Sequence, residues 1–216
     1  MSSIKNIITP VSVIEPTGFT YFESPCKKMS FITINKCCST SMIKWCKDNN
    51  WLPVQQKIDD QKRKYLVILR DPVERWISGF RTYLSIKNID VKNIEDNYWK
   101  IFKEVVIFDT HTLPQYKHMI SIKLKNIFAV DFNSVNDGDL SNFLRNNGYD
   151  FDMPRLNPTR LPDSEIDAHL KRIIDEDTLF RNQLHETYEQ DYWLRFHLLG
   201  KPVPDILYDK MVVLDT

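Results

Sequence analysis

The sequence predicts an α/β layer fold: a central, mostly parallel sheet flanked by helices. Three observations lead there. The run YLVIL at residues 65–69 is continuously apolar and rich in β-formers, as in a strand buried on both faces. The segment after it carries apolar residues at helical spacing. Strand-like and helix-like segments then alternate along the chain, the pattern of parallel strands joined by crossover helices. A length of 216 residues suits one domain, taken here as 1–216 with residues 1–28 an irregular lead-in containing Pro10, Pro16, Gly18 and Pro25.

Each element has its own signal. SFITI, residues 30–34, is a short strand bounded by polar residues, and residues 39–50 read as a helix with Ser39 as N-cap. After the strand at 65–69, Asp71 can cap a second helix, with Pro72 at its first position and Glu74 where a capping box puts it. Val73, Trp76, Ile77, Phe80 and Leu84 mark its apolar face, and Ser78 and Arg81 lie off that stripe. A further helix is expected over residues 94–108, a polar loop over 109–116 and a third strand over 126–130. A short helix over 139–146 stops at Gly148. Three prolines make 153–162 a loop, and helices over 163–175 and 177–199 finish the domain.

Composition narrows the function classes. Hydrophobic residues make up 42 %, enough for a sizeable core and too many for a disordered chain. No apolar run approaches the roughly 20 residues of a membrane span, and the N-terminus lacks a signal pattern, so a soluble, cytoplasmic protein is expected. The four cysteines crowd into the first quarter of the chain, which suits reduced thiols better than a disulfide framework. Neither CxxC nor HExxH occurs, so no metal site is expected. Net charge is zero, yet residues 26–87 carry thirteen Lys or Arg against five Asp or Glu. That local excess suggests a polyanionic ligand, while overall neutrality argues against a nucleic-acid binder.

The chemistry concentrates at two junctions. FITINKCCSTSMIKW, residues 31–45, is an apolar strand breaking into Lys36, Cys37, Cys38, Ser39, Thr40 and Ser41 at a helix start. Free backbone N–H groups, the positive end of the helix dipole, an ammonium and three hydroxyls together suit an anion. Taken singly, Ser39 is a simple cap and Lys36 a surface lysine. The ATP and GTP loop GxxxxGK(S/T) needs glycines, and none of the five glycines falls here. At the second junction, LVILRDPVERWISGF, Arg70 leaves a strand end where it can fork onto a phosphate, and Ser78 is two turns into the helix. The plainer alternatives are an Arg70 ion pair with Asp71 or Glu74 and a tolerated helical serine. Ligands in such folds bind at the carboxyl ends of the strands, where both junctions fall.

INKCCSTSM followed by VILRDPVERWISGF resembles the paired cofactor motifs of sulfotransferases, above all the carbohydrate type of the chondroitin, dermatan and HNK-1 enzymes. The resemblance implies a three-layer P-loop-like fold and 3′-phosphoadenosine 5′-phosphosulfate (PAPS) as co-substrate. It assigns Lys36, Cys37, Cys38, Ser39, Thr40 and Ser41 to the 5′-phosphosulfate, and Arg70 and Ser78 to the 3′-phosphate. DTHTLPQ is similar to the family's H-x-x-P-Q segment, which puts His111 and Gln115 near the acceptor; LNPTR puts Asn157 there too. YEQDYWLRF resembles the closing helix and maps Tyr188, Asp191 and Phe196. Cys38 stands where the family often has Gly or Ala. The implied function is transfer of a sulfuryl group from PAPS to a hydroxyl or amine, with a carbohydrate as the first candidate acceptor. Lys36 would stabilise developing charge and His111 act as general base; a loop histidine bonded to a backbone carbonyl is the alternative for His111. A P-loop nucleotide or sugar kinase and a non-catalytic glycan-binding relative are the competing functions.

Overall fold

A computed structural model describes residues 21–54, 63–89, 105–120, 122–152 and 164–211. Five strands, β1 (Tyr21–Glu23), β2 (Met29–Ile32), β3 (Leu52–Val54), β4 (Lys64–Leu69) and β5 (Ile127–Asp131), form one sheet in the order β3-β1-β2-β4-β5. The described residues also form seven α-helices. These are α1 (Ser39–Asp48), α2 (Pro72–Ile86), α3 (Asp139–Asn146), α4 (Ser164–Glu176), α5 (Thr178–Thr187), α6 (Glu189–Leu199) and α7 (Asp205–Met211). The protein is thus mixed α/β.

β2, β4 and β5 run parallel: Ile32 pairs with Val67, and Val67 with Ala129. Their carboxyl ends therefore share one rim, which brings the β2–α1 and β4–α2 junctions side by side. β4 is buried from Tyr65 to Leu69, as its unbroken apolar run requires. The other half of the sheet departs from expectation. β1 pairs antiparallel with both β2 and β3, so the sheet is half antiparallel and not mostly parallel. β1 lies in the stretch read as irregular lead-in, and β3 contains Pro53. Three-residue strands carry too little periodicity to be read locally; pairing against β2 creates them.

The start of α2 is as its signals dictate. Asp71 Oδ1 accepts from the N–H groups of Val73 and Glu74 at 3.0 and 3.2 Å, and Pro72 opens the helix. Trp76, Ile77, Phe80 and Leu84 are buried against α4–α7 in a core distinct from the one under the sheet. A second buried row runs through Pro72, Arg75, Gly79 and Tyr83. The helix expected over 94–108 lies largely outside the described residues, but 105–108 is not helical. Trp76 Nε1 donates to the Val106 carbonyl instead, at 2.9 Å. The expected loop at 153–162 lies outside the described residues.

The single helix expected over 177–199 is two. It breaks at Tyr188 (φ −106°, ψ 19°), which ends α5 and precedes α6. The residue pattern is continuous through the break; what interrupts it is tertiary, since Tyr188 and Asp191 both bond the 112–116 segment. One turn on, Arg195 of α6 joins two strand ends. Its guanidinium bonds Asp71 Oδ2 at 3.0 Å and Asp131 Oδ2 at 3.3 Å, and Lys201 approaches Asp131 at 3.4 Å.

Burial raises the Asp131 carboxyl, but the Asn133 N–H, Lys201 and Arg195 outweigh it and hold the group below the usual carboxylate range. A depressed folded-state pKa contributes stability that is complete above the unfolded value and fades as the pH falls through the folded one. Arg195→Leu leaves Asp131 only Lys201 and the Asn133 N–H, takes the cation from Asp71, and should lower the unfolding free energy by about 3 kcal/mol at neutral pH. The deficit should shrink below about pH 4, as Asp131 protonates in both proteins. Urea titrations at the two pH values measure this; a deficit that is absent, or independent of pH, would show that the clamp contributes no charge pairing.

Candidate active site

Between β2 and α1 the chain turns through two left-handed residues, Lys36 (φ 68°) and Cys38 (φ 55°). Glycine takes this conformation freely; in other residues each instance costs on the order of 1–3 kcal/mol and tends to persist at functional sites. The turn that lacks glycine therefore makes a glycine-like bend under strain. Ser39, expected as N-cap, is instead the first helical residue, and Cys38 is the cap. No side chain caps α1, so its first-turn amides keep their capacity to bind an anion.

These residues wall a cleft of about 270 Å³ lined by Asn35, Lys36, Cys38, Ser39, Thr40 and Ser41, with His111 and Phe132 facing them. Larger grooves of about 500 Å³, beside β5 and α3, and about 510 Å³, beside Cys26 and Lys64, contain none of the motif residues. Lys36 sits in a cationic field. Burial, then Arg81, Arg70 and Arg75, lower its pKa, and Asp109 alone among its named neighbours opposes them. Among the described residues, no carboxylate forms an ion pair with Lys36. Arg70 lies across the cleft's edge with its guanidinium 4.4 Å from the centre of the Phe132 ring and 3.7 Å from Glu74. Arg70 does not itself line the cleft: it stacks on Phe132, which does, and its charge reaches Lys36 from the other segment. Ser78 is half-buried on α2 and does not line it.

Cys37 is turned away. Its N–H bonds the Ile34 carbonyl at 3.2 Å, its thiol donates to Gln115 Oε1 at 3.4 Å, and burial pushes the thiol up to about 11. It offers the cleft neither donor, so its assignment to the phosphosulfate gives way to a structural place beneath the loop.

His111 presents a histidine–carboxylate pair. Its backbone N–H donates to Asp109 Oδ1 at 2.8 Å, and Nδ1 lies 2.9 Å from Asp109 Oδ2. That pairing assigns the proton to Nδ1 and leaves Nε2 as the free lone pair. Burial raises the Asp109 carboxyl, but the hydrogen bond and charge of His111 and two backbone N–H groups more than offset it, so Asp109 stays ionised below its ordinary range. Thr112, fully buried, accepts from the N–H groups of Phe108 and Asp109 and donates to the Asp109 carbonyl. Gly79 lets the loop lie against α2: a Cβ there would come within 2.4 Å of the His111 carbonyl oxygen.

Behind the loop stands a buried network. Asp191 accepts from the backbone N–H groups of Gln115 and Tyr116, both at 2.8 Å. The Gln115 carboxamide bridges to the backbone of Arg70, accepting its N–H at 3.0 Å and donating to its carbonyl at 2.9 Å. Tyr188 donates its hydroxyl to the Thr112 carbonyl. Gln115, which the resemblance puts at the acceptor, is fully buried with its side chain engaged, so here it acts on the site through Arg70. Phe196 is 41 % exposed and packs on Trp193 and His197, away from this network. Asn157 lies outside the described residues.

Sequence reading missed Asp109, Gly79 and Arg75. Asp109 had a signal in its i, i+2 spacing to His111; the other two belong to the second buried row of α2, a 3-4-4 spacing hidden by the stronger apolar stripe. No protein-family model, curated protein or solved structure matches the chain.

Gly79→Ala forces backbone to move, because the contact is with a carbonyl and not a flexible side-chain end. It should cost about 1–3 kcal/mol in thermal or urea unfolding and shift the His111 ring resonances in an NMR spectrum. Unchanged stability together with unchanged His111 signals would show that the loop does not depend on close approach to α2.

Proposed function

We propose that the chain is a sulfotransferase moving a sulfuryl group from PAPS to a hydroxyl or amine of an acceptor, with a carbohydrate as the first candidate, on a three-layer P-loop-like fold. One observation carries this: Lys36, from the first motif, and His111, backed by Asp109, line a single cleft, and Arg70, from the second motif, stacks on the Phe132 ring in its wall. The donor set fits an anionic nucleotide. An uncapped helix start and an ammonium face one end, and the Arg70 guanidinium, whose buried Nε has no hydrogen-bond partner among the described residues and only a long approach to Glu74, marks the other.

PAPS, when bound, supplies the activated sulfuryl group on a phosphate leaving group. Lys36 and the first-turn amides of α1 would hold the negative charge that grows as that group departs, fixed in place before the reaction. His111 Nε2 takes the proton of the acceptor, while Asp109 orients the ring and stabilises the imidazolium. Arg70 grips the second anionic group through its planar fork, and Ser78 is the remaining candidate donor on that side. Gln115 and Asp191 hold the Arg70 backbone in register with the cleft.

Transfer of radiolabelled sulfate from PAPS across a panel of glycans, lipids and small phenols tests this. Activity is expected with at least one class, and Lys36→Ala should lower it about 10³-fold. Arg70→Ala should instead weaken binding of 3′-phosphoadenosine 5′-phosphate about 10–100-fold by calorimetry. Thermal stabilisation by ATP with magnesium but not by that nucleotide would favour a kinase, and Lys36→Ala with full turnover would remove the mechanism.

A further inference from the structure

Arg75, on the second buried row of α2, has no solvent exposure. Its Nε donates to the Asn35 carbonyl at 3.0 Å, at the base of the β2–α1 turn. Among the described residues, neither Nη1 nor Nη2 has a hydrogen-bond partner. A full charge with both amino groups unpaired is among the costlier arrangements an interior can hold. Every neighbouring element leaves that charge incompletely answered. From α6, the buried Asp191 carboxyl feels the Arg75 charge, but it is hydrogen-bonded to Gln115 and Tyr116, and no ion pair joins it to Arg75. Tyr188 gives its hydroxyl to Thr112. His118, on the 3₁₀ turn Gln115–Met119, is held neutral, at about 3, by burial and by Arg75 itself. The Cys37 thiol is engaged by Gln115. The Arg75 charge bears on these buried groups and also on Lys36, in the cleft.

We propose that Arg75 is a positioning residue for anion binding: a buried charge that pins the Asn35 carbonyl and stays undercompensated until an anion seats at Lys36 and the start of α1. An apolar side chain of similar length would pack in the same space without the penalty, so stability does not explain an arginine here. The guanidinium sits behind the cleft and touches no ligand; it acts through the turn it holds and through the potential it adds. The proposal rests on the cleft binding an anion, as the sulfotransferase reading also requires, but not on which nucleotide or acceptor is used.

Inorganic pyrophosphate is the probe, with calorimetry on the full chain, melting without anion and NMR titration of the Lys36 side chain. Arg75→Met and Arg75→Gln should both weaken pyrophosphate at least tenfold, melt no lower than the wild type without anion, and raise the Lys36 titration midpoint by removing a like charge. Arg75→Lys, which keeps the charge, should bind within threefold of wild type. Should Arg75→Met not fold, the Gln and Lys variants decide alone. Neutral variants that bind pyrophosphate normally, or that melt several degrees low with no rescue by Lys, make Arg75 a packing residue and overturn the proposal, as does a wild type that ignores pyrophosphate. A wild type that binds pyrophosphate in this pattern but transfers no sulfate and ignores 3′-phosphoadenosine 5′-phosphate sinks the sulfotransferase reading and leaves Arg75 its role.

Discussion

The geometry of the rim depends on one buried carboxylate. Asp191 takes two backbone N–H groups of the 115–116 turn, and the glutamine held there bonds both backbone groups of Arg70 and the thiol of Cys37. Gln115 thereby stands in for a neighbouring strand where β4 runs out of partners. A buried polar network of this kind is favourable only when its members are satisfied together. Losing Asp191 would leave two backbone amides unpaired and loosen the turn that holds the Gln115 carboxamide against the ends of two parallel strands.

α6 serves as a strut behind the cleft, on three successive contacts. Tyr188 holds the 109–112 loop through Thr112, Asp191 holds the 115–116 turn, and Arg195 ties the ends of β4 and β5. The break before α6 places these side chains, which a straight helix would aim elsewhere. Loops that would otherwise be mobile are thus positioned by a rigid element, as preorganised chemistry requires.

The cleft itself is built at an energetic disadvantage. Two non-glycine residues sit in left-handed conformations, the charges of three arginines bear on Lys36, and the start of α1 is left without a side-chain cap. Each of these costs stability, and the last two are relieved by negative charge. Their coincidence in one place is what sets this turn apart from the other left-handed residues, Lys27, Asn50 and Asn88.

Local signals determined much by themselves. Asp71 and Pro72 start α2 whatever surrounds them, the apolar run of β4 demands burial on both faces, and parallel strands carry Lys36 and Arg70 to the same end of the sheet. Those features rest on spacings of a few residues, so they are readable from the chain alone. Only tertiary structure decided the antiparallel half of the sheet, the break at Tyr188, the inward turn of Cys37, the engagement of Gln115 and the burial of Arg75. Each joins residues distant in sequence, or depends on which neighbour fills a hydrogen bond first. Spacing shows where a donor stands; what it bonds is settled when the elements pack.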